Sequence, residues 1–157
     1  MAFVLEYLQG RGHVFTVIPR LRTATNGAPA SQVPAELVAM TIVVVADHGP
    51  ALLVIPASRM LDLELVAEAV GDPAARLATE RELDTWFPDY ELGALPPLSM
   101  LLLVPTYVDP AVVERPEIVF AAGRQDVSIK MTTHDLFGND PVVIAPLTTE
   151  SRVAAPT

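Results

Sequence analysis

Between Met40 and Val70 two apolar, β-branched runs flank a polar turn and lead into an amphipathic stripe, MTIVVVADHG-PALLVIPASRM-LDLELVAEAV. Thr41 to Ala46 reads as a strand buried on both faces. Asp47-His48-Gly49-Pro50 is a turn cluster, and Ala51 to Ile55 returns as the partner strand. Asp62 is an N-cap candidate, and Leu63, Val66, Ala67 and Val70 form a helical face ended by Gly71. Upstream, Phe3, Leu5, Tyr7 and Leu8 predict a short helix stopped by Gly10-Arg11-Gly12. His13 to Ile18 alternates as a strand does. Pro19 to Pro34 lacks periodicity and reads as a loop, with a short helix from about Ser31 or Pro34 to Ala39.

Downstream, Arg76 to Ala78 predicts a short strand. Thr79 and Glu82 form a capping box for a helix whose apolar face is Leu83, Trp86 and Phe87, stopped by Pro88. Glu91 to Pro97 is a glycine- and proline-containing loop. Met100 to Val104 reads as an apolar strand, and Tyr107-Val108 extends towards Asp109. That aspartate can cap a turn of helix at Pro110–Glu114, with proline at the first helical position. Glu117–Ala121 and Val127–Met131 predict a hairpin turned by Gly123-Arg124-Gln125-Asp126. Thr133 can cap a last helix, and Val142 to Ala145 suits an edge strand. Hairpins interspersed with short helices predict an α+β domain rather than a doubly wound parallel sheet.

Composition narrows the function classes. A chain of 157 residues fits one domain, expected over residues 1–149, with 150–157 as a flexible tail. Apolar residues make up 51%, so the bulk of the chain can build a core. Polar residues and prolines interrupt each apolar run before it could span a bilayer. The first residues, MAFVLEYLQGRG, carry no basic stretch and read as a helix, not a signal peptide, so the expected location is cytoplasmic. With no cysteine, thiol catalysis and disulfides are excluded. The net charge of −9, with Lys130 the single lysine, opposes non-specific binding to DNA. A small basic pocket for one nucleotide end remains compatible with it.

Little catalytic chemistry is written in motifs. His13, His48 and His134 have no metal-ligand spacing, and no metal or cofactor is expected. No nucleophile elbow, P-loop or dinucleotide fingerprint is present. The acidic groups Asp62/Glu64/Glu68 and Glu80/Glu82/Asp84 fall on helix first turns and exposed faces, where they favour the helix dipole. Gly93-Ala94-Leu95-Pro96-Pro97 combines freedom at positive φ with rigid prolines, so it can present backbone N–H groups in a fixed array. Ala121-Ala122-Gly123 ends a strand in small residues that let a ligand approach the backbone. Ordinary turn chemistry is the alternative reading of both.

Six segments in order resemble the YbaK/EbsC family, the aminoacyl-tRNA deacylases related to the editing domain of bacterial prolyl-tRNA synthetases. They are Val38–Val44, Val54–Leu63, Arg76–Leu83, Gly93–Leu98, Val104–Asp109 and Phe120–Gly123, within a match running from Phe3 to Leu136. The resemblance implies a single mixed, mostly antiparallel central sheet surrounded by short helices. It also implies a pocket for the aminoacylated 3′ end of a tRNA, and hydrolysis of a mischarged ester without a metal. Backbone groups of the Gly93 loop would hold the substrate while water attacks.

The family places a lysine where this chain has Met40. A thioether cannot supply the charge-assisted contact of an ammonium, on the order of 1.5–3 kcal/mol. Three consequences are open: Lys130, Arg59 or Arg20 reaches the vacant place, the pocket takes a different acyl group, or the protein binds without catalysis. The expected function is therefore a freestanding trans-editing hydrolase; the alternative is a non-catalytic relative binding the tRNA 3′ end or a small aminoacyl- or nucleotide-like ligand. Catalytic positions implied are Met40, Gly93 and Ala94. Substrate-binding candidates are Leu95, Pro96, Pro97, Ser99, Asp109, Gly123, Ser128 and Lys130, with Asp109 equally readable as a helix cap. Thr23 corresponds only loosely to a substrate-contacting region. The expected partners are the tRNA 3′ end and, as an option, a synthetase, but neither DNA nor a membrane.

Overall fold

A computed structural model describes residues 2–19, 33–138 and 141–149. In chain order the elements are α1 (Ala2–Gly10), β1 (Thr16–Pro19), a 3-10 turn (Ala35–Leu37), β2 (Ala39–Ala46), β3 (Gly49–Pro56), β4 (Met60–Leu61), α2 (Leu63–Val70), β5 (Arg76–Leu77) and α3 (Glu80–Trp86). There follow α4 (Ser99–Leu102), β6 (Thr106–Val108), α5 (Pro110–Val113), β7 (Glu117–Arg124), β8 (Val127–Thr132), α6 (Thr133–Phe137), β9 (Val142–Ile144) and β10 (Thr148–Thr149). The fold is α+β with mostly antiparallel pairing.

The β2–β3 hairpin is its centre, paired from Ala39 against Pro56 to Ala46 against Gly49. Antiparallel β5 and parallel β6 and β9 extend it to the order β5-β2-β3-β6-β9. A second antiparallel sheet runs β1-β8-β7, and β4 pairs with β10. The central sheet is thus parted into two ladders, joined by a parallel bridge between Val38 and Val119.

Alternation sends the central hairpin's side chains to two cores. Val44, Leu53 and Ile55 pack with Val66 and Val70 of α2 and with Leu147. On the opposite face, Val43 and Leu52 meet Phe87 and Leu95. Ala39 and Val54 continue that face against Phe120, Ile129 and Leu98. The β3 stretch Ala51–Pro56 is wholly buried, as its unbroken apolar run requires, whereas Met40 at the start of β2 is 46% exposed.

Local signals place the helices. The Asp62 side chain accepts from the N–H groups of Glu64 and Leu65, and Gly71 closes α2 at φ 75°. Thr79 and Glu82 make the expected capping box. Asp109 caps α5, with Pro110 at its start.

Three details differ from the sequence reading. Met100 to Val104 is not a strand: Ser99–Leu102 is helical and Leu103 turns the chain at φ 59°. Its Met and Leu residues are good helix formers, and β6 already holds the parallel edge of β3. Trp86 lies at the surface, leaving Phe87 and Leu83 as the inward side chains of the α3 region. The cap of α6 is Thr132, one residue before Thr133, whose hydroxyl instead donates to the Arg115 carbonyl. The expected tail 150–157 and most of the loop before Pro34 lie outside the described residues.

Candidate functional site

Beyond α3 the chain makes a tight crook. The Ala94 N–H donates to the Glu91 carbonyl at 3.0 Å, around Gly93 at φ +79°. A side chain at Gly93 meets only the Gln125 amide nitrogen, at 3.5 Å, so backbone conformation and not crowding requires glycine there.

The β7–β8 hairpin holds this crook. Register shifts between Ala121 and Arg124, a bulge that takes Gly123, at φ 92°, out of the ladder. The freed Gly123 N–H donates to the Ala94 carbonyl at 2.9 Å, and its carbonyl accepts from the Glu91 N–H at 2.8 Å. One residue on from Arg124, the Gln125 side-chain amide donates to the Leu92 carbonyl, and its backbone N–H donates to Glu91 Oε1 at 2.7 Å.

Crook, bulge and the start of β2 enclose a cavity of about 220 Å³. Its lining joins Val38 to Thr41, Ala57, Gly93, Leu95, Val119 to Ala121, Gln125 and Ser128. Among the described residues no lining side chain is charged. Gly93 and Leu95 have no hydrogen-bond partner for their N–H groups among the described residues. Ser128 is 7% exposed, and its hydroxyl likewise has no partner among them. Thr41 Oγ1 is sealed from solvent without a partner among the described residues, an arrangement that costs about 1–3 kcal/mol unless something satisfies it.

The sequence-derived candidates therefore divide. Met40, Gly93, Leu95 and Ser128 come together at this cavity. Met40 pairs with Ile55, so alternation starts its side chain on the α2 face, and Thr41 is the β2 residue on the Leu95 face. Ala94, Pro96 and Pro97 are buried behind the crook. The N–H and carbonyl of Gly123 are engaged by the crook itself.

Ser99 and Asp109 are not brought to the cavity. The Ser99 hydroxyl donates to the Val104 carbonyl at 3.1 Å. Asp109, 4% exposed, accepts from the Ala111, Leu147 and Thr148 N–H groups and from Thr148 Oγ1. Its helix-cap reading is thus realised, extended to a clamp on β10.

Of the three cations considered for the vacant lysine place, the two among the described residues, Lys130 and Arg59, do not line the cavity. Lys130 is half exposed, 3.6 Å from Glu117. It borders an adjoining cavity of about 330 Å³ with Val33, Pro34, Leu37 and Val119; the last is a wall of both. The Arg59 Nε donates to Thr148 Oγ1 at 2.7 Å. Arg20 and Thr23 lie outside the described residues. On the far side of the crook, a cavity of about 420 Å³ runs to α3, lined by Glu80, Arg81, Asp84 and Glu91 over Leu83 and Phe87. Tyr90 in its wall has its phenol pushed up by burial and by Asp89. Among the described residues no three His, Asp or Glu side chains gather as a metal-ligand set.

The two polar lining residues besides Ser128, Thr41 and Gln125, are not among the sequence-derived candidates. Thr41 was within reach of strand alternation, which sets it opposite Met40. For Gln125 the sequence carries no signal beyond its place in a turn.

A family model described as an aminoacyl-tRNA editing domain matches residues 18–138. A solved structure proposed as a trans-editing enzyme for prolyl-tRNA synthetase superposes with a TM-score of 0.79 at 25% identity, over 94% of this chain and 96% of that one. A hypothetical protein of solved structure gives a TM-score of 0.80 at 21% identity, over 94% of this chain and 99% of that one. Among curated proteins none matches significantly.

Proposed function

The chain belongs to the aminoacyl-tRNA editing domain family, and we propose that it is a freestanding trans-editing hydrolase that releases a mischarged amino acid from tRNA. The observation that carries this reading is the pair of unengaged N–H groups on Gly93 and Leu95, beside a cavity that also holds the unpartnered Ser128 hydroxyl. Hydrolysis of an acyl ester passes through a tetrahedral oxyanion. Fixed backbone donors stabilise that charge, each by about a hundredfold to a thousandfold in rate. Among the described residues nothing in the lining titrates near neutrality, and their contribution is to orient ester and water.

The lining also suits the acyl group. Among the described residues the lining is apolar apart from Thr41, Gln125 and Ser128, which fits a small uncharged amino acid. The nucleotide would run over Val119 towards Lys130, where an ammonium would meet phosphate two strands over from the family position. A solved relative proposed as a trans-editing enzyme supports an activity on tRNA charged by a synthetase other than a covalent host.

A panel of mischarged tRNAs tests the proposal: purified protein releases amino acid from at least one, and no release from any overturns it. A second reading, binding of the tRNA 3′ end or a small aminoacyl- or nucleotide-like ligand without turnover, is favoured by one observation. Among the described residues no charged side chain lines the cavity. On that reading the wild type binds an aminoacyl-adenosine analogue without hydrolysing charged tRNA, and Met40→Lys creates hydrolysis. Turnover by the wild type excludes it.

A further inference from the structure

The crook's two unengaged donors have a common geometric origin. A peptide unit is planar and trans, so its carbonyl and its N–H point in opposite directions. The Gly93 N–H shares a peptide unit with the Leu92 carbonyl, and the Leu95 N–H shares one with the Ala94 carbonyl. These two carbonyls are the ones the β7–β8 hairpin holds: Leu92 by the Gln125 side-chain amide, Ala94 by the Gly123 N–H. Fixing each carbonyl fixes the direction of the N–H behind it.

We propose that Gln125 is a positioning residue: by gripping the Leu92 carbonyl it aims the Gly93 N–H, as the bulged Gly123 aims that of Leu95. The bulge supplies a backbone donor that no side-chain substitution can delete. The Gln125 grip is a side-chain contact, and its backbone is steadied by Glu91 from the crook itself. Gln125 lines the cavity, but its amide is directed to the loop. The inference rests on the deacylase reading for its catalytic consequence and not for its geometry.

Two readouts on the full chain separate those. The first needs no substrate. In Gln125→Ala, the ¹⁵N order parameter of the Gly93 amide falls from a rigid value near 0.85 to below about 0.6, and amides in the β2–β3 hairpin do not change. An unchanged Gly93 order parameter overturns the proposal.

The second is turnover of a mischarged tRNA that the wild type hydrolyses. Gln125→Ala lowers kcat about tenfold or more, with KM within about twofold. Equal kcat overturns the catalytic role. Gln125→Glu behaves the same way near neutrality, because a carboxylate cannot donate to the carbonyl, and Glu91 opposes it further. Arg124 and Asp126 in the same turn pair with each other at 3.0 Å. Relative to wild type at each pH, Gln125→Glu recovers as pH falls towards about 4.5, where a protonated glutamate donates again. Gln125→Ala stays flat, and a Gln125→Glu ratio equally flat counts against the grip. Absence of wild-type turnover removes the deacylase reading, and the order parameter still decides the geometry.

Discussion

The crook at Gly93 and the node at Asp109 both gather polar groups in the interior, and they differ in whether those groups are satisfied. At Asp109 one carboxylate accepts four hydrogen bonds, drawing α5, β10 and the approach to β10 together. Thr148 Oγ1 donates to it and accepts from Arg59, so the network closes on itself. At the crook, the carbonyls are held while the Gly93 and Leu95 N–H groups and the Ser128 hydroxyl have no protein partner among the described residues. A closed network holds a fold together. An open one, beside a cavity, is equipped to take a ligand.

Substitutions can break this contrast. Asp109→Ala has the largest expected effect on stability. It leaves buried donors on three residues without their acceptor, a loss of about 3 kcal/mol or more at about 1–3 kcal/mol per orphaned group, read by urea unfolding. A loss below about 1 kcal/mol would mean the node is not closed. Gly93→Val has the largest expected effect on activity: a β-branched residue at φ +79° shifts the crook, and deacylation falls at least about a hundredfold. Its cost in unfolding free energy is smaller, about 1–2 kcal/mol.

The contrast sharpens with the cavity hydroxyls. Thr41→Val removes a buried hydroxyl that no group satisfies, so the melting temperature holds or rises, by up to about 1 kcal/mol equivalent. A clear drop in melting temperature would show that Thr41 has a partner in the free protein. Ser128→Ala is expected to leave unfolding within about 0.5 kcal/mol and to weaken turnover about tenfold. The smallest effect lies away from both regions. Arg76 holds the Glu82 carboxyl at about 2, below the usual value of 4.5, first through their hydrogen bonds and then with help from the Thr79 N–H. A depressed carboxyl contributes stability that is present above pH 4.5 and is lost as pH falls towards 2. Wild type and Arg76→Ala should therefore differ most above pH 4.5 and converge in acid, by thermal melts across that range.

Much of this molecule is decided by adjacent residues, and there the sequence is sufficient. The Asp62 and Thr79 caps, the Gly71 stop and the β2–β3 and β7–β8 hairpins depend on neighbours a few positions apart. Of the positions that the resemblance singles out, Met40, Gly93, Leu95 and Ser128 line one cavity. Where an apolar run was ambiguous, as at Met100 to Val104, composition could not arbitrate. A strand needs a free edge, and β6 had taken it.

The engagement of each polar group belongs to tertiary structure, because a hydrogen bond depends on who else is within 3 Å. Asp109 and Ser128 are both buried polar residues within the stretch that resembles the family, yet one is fully bonded at residues far along the chain and the other opens on a cavity. Nothing local marks Gln125, whose role comes from a bulge on one strand meeting a loop that ends some thirty residues earlier. The chain alone set the hairpins, the caps and the glycine that turns the crook. Contacts across the fold set which peptide planes are locked, and so which donors face outward.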